Sequence, residues 1–181
     1  MKKQLIIATL ALGAIVFGTT NAQAQNTATT TVNIVLNDVI SIDAGSVAIG
    51  GLVAFNYVTA EDYNTVTNVV VPNSLIVTST KNFDIKVKAD GPTFTDGTND
   101  IPVNVLTIKP VSGGTRTMTG TGTNVVLSGS DQTLISNADL GSEVVLDLDY
   151  EIPAARSSSS DILGKPAGTY VQTVTYTATA L

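Results

Sequence analysis

Phe83-Asp84-Ile85-Lys86-Val87-Lys88-Ala89 alternates apolar and charged side chains without a break. Successive side chains of an extended chain point to opposite faces, so Phe83, Ile85, Val87 and Ala89 share one face while Asp84, Lys86 and Lys88 share the other. Wound as a helix, the same residues would scatter their apolar groups around the circumference. The stretch therefore predicts a strand, buried on one side and wet on the other.

The same period recurs along the chain. In Val144–Ile152, Val144, Leu146, Leu148, Tyr150 and Ile152 point inward and Asp147, Asp149 and Glu151 outward. The last segment sets Tyr170, Val174, Tyr176 and Ala178 against a row of Thr. Near the start, Val32, Ile34, Leu36, Ile40 and Ile42 share a parity broken only by Asp38. Further strands are expected at Leu52–Tyr57, Val66–Val71, Ser74–Ser79, Ile101–Ile108 and Asn124–Leu127. Turn formers separate them: Pro72-Asn73, Asp90-Gly91-Pro92, Asp96-Gly97, Ser112-Gly113-Gly114 and Gly120-Thr121-Gly122. Thr59-Ala60-Glu61-Asp62 has the form of a capping box and predicts a helical turn or two. Ala154–Ala167 reads as a surface loop. Many short strands with Gly and Pro between them predict an all-β fold, an Ig-like or pilin-like antiparallel β-sandwich. An outer-membrane barrel would need aromatic girdles and strands of about ten residues, against 5% aromatics here.

The first residues predict export. Lys2 and Lys3, the uncharged run Leu5–Phe17 and the small-x-small Ala22-Gln23-Ala24 make the three parts of a cleaved signal peptide, residues 1–24. The apolar run is shorter than the roughly 20 residues a membrane-spanning helix needs, so no transmembrane helix is expected. Residues 25–181 then form a single β-sandwich domain bound for the periplasm, the cell surface or the outside. That domain holds seven Lys and Arg against 15 Asp and Glu, a net charge of −8 once Lys2 and Lys3 are removed. An acidic surface disfavours nucleic acid, whose phosphates need Lys and Arg. With no Cys in the chain, the fold rests on burial and sheet hydrogen bonds rather than disulfides.

The chain also has no His, which removes Ser-His-Asp and Cys-His nucleophiles and the usual zinc sites. No enzyme activity and no cofactor are expected. Asp147, Asp149 and Glu151 lie on one face of one strand, whereas glycosidase carboxylates flank a cleft from opposite sides. They read as a solvated acidic face. Asp96 and Asp100 in Asp96-Gly97-Thr98-Asn99-Asp100 are the candidates for metal oxygen ligands, but the segment lacks the EF-hand alternation and reads as a plain turn. With no Trp present, Tyr63 is the one Tyr expected to be exposed for stacking on a sugar ring.

Ala167-Gly168-Thr169-Tyr170-Val171-Gln172-Thr173-Val174-Thr175-Tyr176-Thr177-Ala178 resembles the closing G-x-Y-x-x-x-V-x-Y strand of secreted bacterial β-sandwich proteins. Those are archaic chaperone–usher pilins, spore-coat-U-like proteins and related envelope proteins. The resemblance rests on Gly168, Tyr170, Val174 and Tyr176 and on the general layout; the Cys pairs of spore-coat-type pilins are not present here. It implies fibre assembly, in which an N-terminal extension of one subunit completes the sheet of the next. Val32, Ile34 and Leu36 would be that extension, with copies of this chain or other envelope proteins as partners. Read from the residues alone, they are the first strand of their own fold. Two functions are carried forward: a non-enzymatic structural or adhesive surface subunit, and a secreted module that binds glycan or peptide.

Overall fold

Alternating segments bury their apolar face only where a ladder partner and an opposing layer exist, and the computed structural model shows which segments find both. It describes residues 27–181, so the expected signal peptide, residues 1–24, lies outside the described residues. The chain divides into two units at Leu36. In the first, residues 27–36 form no strand, and Val32, Ile34, Val35 and Leu36 are exposed.

The second unit is all-β and its ladders are antiparallel. Its strands are β1 (Ile40–Ile42), β2 (Thr67–Ser79), β3 (Phe83–Ala89), β4 (Thr93–Thr95), β5 (Asp100–Pro102), β6 (Thr107–Val111), β7 (Thr121–Gly122), β8 (Val125–Val126), β9 (Gln132–Ala138), β10 (Gly141–Ile152) and β11 (Val174–Ala180). A five-stranded sheet has the order β1-β2-β10-β6-β8, a four-stranded sheet the order β11-β3-β9-β7, and β4 with β5 forms a hairpin. Both larger sheets feed one core. Leu75, Val77, Leu146 and Leu148 come from the first, and Phe83, Ile85, Val87 and Leu134 from the second. Burying each such side chain contributes roughly 1.5–3 kcal/mol. β3 matches the expected strand residue for residue, with Phe83, Ile85, Val87 and Ala89 buried.

Several expected strands are redrawn. Val66–Val71 and Ser74–Ser79 are one strand, β2, because Pro72-Asn73 makes a bulge rather than a turn. Asn73 has φ of 52°, and the pairing with β10 shifts between Leu146–Leu75 and Leu148–Val71. Ile101–Ile108 is split by a 3-10 turn at Val103–Val105 that sends the adjacent Val105 and Leu106 both into the core, along with Ile108. The opening strand expected from Val32 begins only at Ile40, where β2 offers a partner. Thr59–Asp62 makes reciprocal capping bonds, the Asp62 carboxylate accepting from the Thr59 N–H at 2.7 Å, yet it closes turns and no helix. The α-helix among the described residues is α1 (Ala154–Ser157), four residues inside the expected surface loop. Ser157 and Ile162 of that loop are buried. No helix among the described residues is long and apolar enough to cross a membrane.

Candidate assembly cleft

β11 is an edge strand, and its register against β3 determines where its backbone groups point. In an antiparallel pair, opposed residues alternate between exchanging both hydrogen bonds and exchanging none. Asp90 N–H donates to Thr173 O and Leu181 N–H to Asn82 O, while Ala89, opposite Val174, donates to Ser128 O on its other side. Thr173, Thr175, Thr177, Thr179 and Leu181 therefore face β3. The N–H and C=O groups of Val174, Tyr176, Ala178 and Ala180 point to the free edge. No described strand pairs there.

The side chains of Val174, Tyr176 and Ala178 face the core and are half-buried. Val174 and Tyr176 border a cleft of about 360 Å³, whose wall also includes Val71, Leu106 and Tyr150. The two sheets are joined across it by a 2.7 Å hydrogen bond between the Tyr150 and Tyr176 hydroxyls. Burial pushes both phenols above the usual tyrosine range; for Tyr176 the neighbouring Tyr150 adds to that rise, and for Tyr150 the bond to Tyr176 opposes it. The pair stays neutral and acts as a polar clasp in an apolar wall.

Val53 and Phe55 line the same cleft, and Tyr57 follows them in the chain. The expected strand Leu52–Tyr57 alternates in burial, with Val53, Phe55 and Tyr57 half-buried and Leu52, Ala54 and Asn56 exposed, but it has no ladder among the described residues. Tyr57 is fixed by a 2.9 Å bond to Ser157 Oγ. Tyr63 is half-buried rather than exposed, its ring 4.9 Å from that of Tyr57. Aromatic pairing is the force that draws it in.

The closing-strand residues separate into two groups. Val174 and Tyr176 lie in β11, whereas Gly168 and Tyr170 precede it. The chain there is tied to β4 instead: Thr95 and Val171 exchange backbone bonds, and Gln172 Nε2 donates to Thr93 O at 2.6 Å. The Tyr170 hydroxyl donates to Pro166 O and fastens the loop.

The acidic candidates serve the sheets. Asp147 accepts from the Asn73 N–H at the β2 bulge, Asp149 accepts from Asn68 Nδ2, and Glu151 pairs with Lys109 on β6. Asp100 accepts from Thr93 Oγ1 across the β4–β5 hairpin. Asp96 accepts from the N–H groups of Thr98 and Asn99 and from Asn99 Nδ2. Those bonds, the Asn99 N–H first, hold its carboxyl below the usual carboxylate range. Among the described residues, no group of three or more acidic side chains is placed to hold a metal ion.

The lowered Asp96 carboxyl has a testable consequence. A depressed folded-state value contributes stability that is present above the unfolded value near 4 and is lost as pH falls through the folded one. Asp96→Ala is expected to be less stable than the parent at pH 7. The gap between their melting temperatures should narrow as pH falls below about 4 and on through the lowered folded-state value, where the parent carboxylate becomes protonated. A gap that stays constant down to pH 2 would assign the loss to something other than the charged turn.

No protein-family model matches the chain, and no curated protein matches it.

Proposed function

We propose that the chain is an exported, non-enzymatic structural or adhesive subunit of the cell surface. It assembles when the Val32–Leu36 segment of one copy adds to the β11 edge of the next. The observation that carries this reading is the β11 edge, where outward-pointing backbone groups with no described strand partner run beside a part-empty cleft. Added strands are held by main-chain hydrogen bonds, with alternate side chains in a groove. Val32, Ile34 and Leu36 supply that alternation, and all three are exposed. At about 3.3 Å per residue, residues 27–36 are long enough to run beside the seven-residue β11.

Just after the segment, Asp38 of the second unit is paired with Lys81 at 2.6 Å, and Val39 exchanges bonds with Thr80. The absence of His and Cys from the whole sequence supports the non-enzymatic part of the reading, and Lys2, Lys3 and Ala22–Ala24 support export.

Ile34→Asp in the full chain tests the reading. A charge at the centre of the added segment would have to be buried unpaired, which costs several kcal/mol in practice. Light scattering behind size-exclusion chromatography should show the parent forming multimers as concentration rises and the variant remaining monomeric. Equal assembly by both, or a parent that stays monomeric throughout, would overturn the reading.

A further inference from the structure

Gly50–Tyr57 has the burial pattern of a strand without the bonds of one. Among the described residues, no backbone N–H or C=O of Gly50–Tyr57 bonds to another backbone group. Its ends are well held. Val47 and Ala48 donate to Asn73 O and Ser74 O, and the N–H groups of Val58 and Thr59 donate to the Asp62 carboxylate. Between those anchors, the Tyr57–Ser157 bond, the Tyr57–Tyr63 ring contact and the side-chain packing of Val53 and Phe55 keep it in place. That packing leaves about 360 Å³ unfilled, room for the side chains of an added strand. Segments with few buried contacts and no ladder open at low free-energy cost. Gly50, at φ of 72°, makes the turn at the root of the segment, and Gly51 packs against the Val47 carbonyl with no room for a side chain.

We infer that Gly50–Tyr57 is a displaceable plug, regulating the cleft to which the proposed assembly reading assigns a neighbour's strand, and the inference rests on that reading. In a subunit that has not yet received a neighbour, Val53 and Phe55 shield the apolar wall from water. The incoming Val32–Leu36 segment makes the β11 hydrogen bonds that the plug does not, fills the empty volume, and expels Phe55 to solvent. Rupture of the Tyr57–Ser157 bond frees the segment and governs the rate.

The chain has no Trp, so Phe55→Trp gives a fluorescence signal from this position alone. The probe is a synthetic peptide of residues 31–37, added to the dilute full-length variant, with its binding followed separately by anisotropy of a dye on the peptide. The expected result is binding accompanied by a red shift of Trp emission. A second variant, Ser157→Ala, leaves Phe55 in place and should take up the labelled peptide roughly two- to tenfold faster than the parent, the equivalent of one net hydrogen bond. Binding with unshifted or blue-shifted emission, or uptake by Ser157→Ala at the parent rate, would overturn the plug while leaving strand addition standing. Failure of the peptide to bind either protein would overturn both.

Discussion

Phe83→Ala is expected to remove roughly 3–5 kcal/mol of unfolding free energy, the cost of deleting a large aromatic from a close-packed site. Phe83 is fully buried, opposite Ala180 on β11 and Ala138 on β9, so small residues flank it and its ring fills the space they leave. Neighbours that are already Ala cannot grow into the cavity, which places the cost toward the upper end of that range. Whole domains are stable by only about 5–15 kcal/mol, so the variant should unfold at far lower urea and may be compared with Phe55→Ala as an internal control. Phe55 is half-buried on an unladdered segment, and its loss should cost well under half as much. Equal losses at the two positions would contradict the placing of the core between the two sheets.

Deletion of residues 25–36 is expected to leave the stability of the dilute monomer within about 1 kcal/mol of the parent, because exposed apolar side chains contribute little to their own fold. Assembly should be lost altogether. Val32, Ile34 and Leu36 as the first strand of their own sandwich would each contribute roughly 1.5–3 kcal/mol, so their removal would consume much of the stability of the domain. Urea melts at low concentration and size distributions at high concentration separate the two cases. A loss of several kcal/mol from the monomer would contradict the assignment of this segment to a neighbour.

The strands legible in the sequence are those whose alternation runs unbroken over a stable ladder. β3 and the Val144–Ile152 part of β10 are of this kind: polar and apolar residues take turns, and the observed burial follows the same parity. β9 was hidden because its bulge breaks the period. Leu134 and Ile135 are adjacent and both buried, and the pairing with β3 slips between Ile85–Ile135 and Lys86–Thr133. The opposite error arises at Leu52–Tyr57, where an apolar run alternates in burial but has no ladder partner among the described residues. Side-chain period reports which face is buried and says nothing of whether a neighbouring backbone is there to be bonded. Tyr150 and Tyr176 were legible as inward-facing residues, but their joining hydroxyls depend on two strands from different sheets meeting across the cleft. Ser157 carried no signal, since it sits in a run of four identical residues of which it is the buried one.

Amide hydrogen exchange along β11, in the dilute monomer and in the assembled state of the full chain, tests the central claim most directly. In the monomer the N–H groups of Val174, Tyr176 and Ala178 face the free edge and should exchange quickly, while those of Thr175 and Thr177, bonded to β3, are slow. On assembly the three outward amides should slow by about tenfold or more as a neighbour's Val32–Leu36 pairs with them, and the amides of Thr175 and Thr177 should change little. Assembly in which Val174, Tyr176 and Ala178 keep their monomer rates, or in which new protection falls instead on the Thr67–Pro72 edge of β2, would contradict the account.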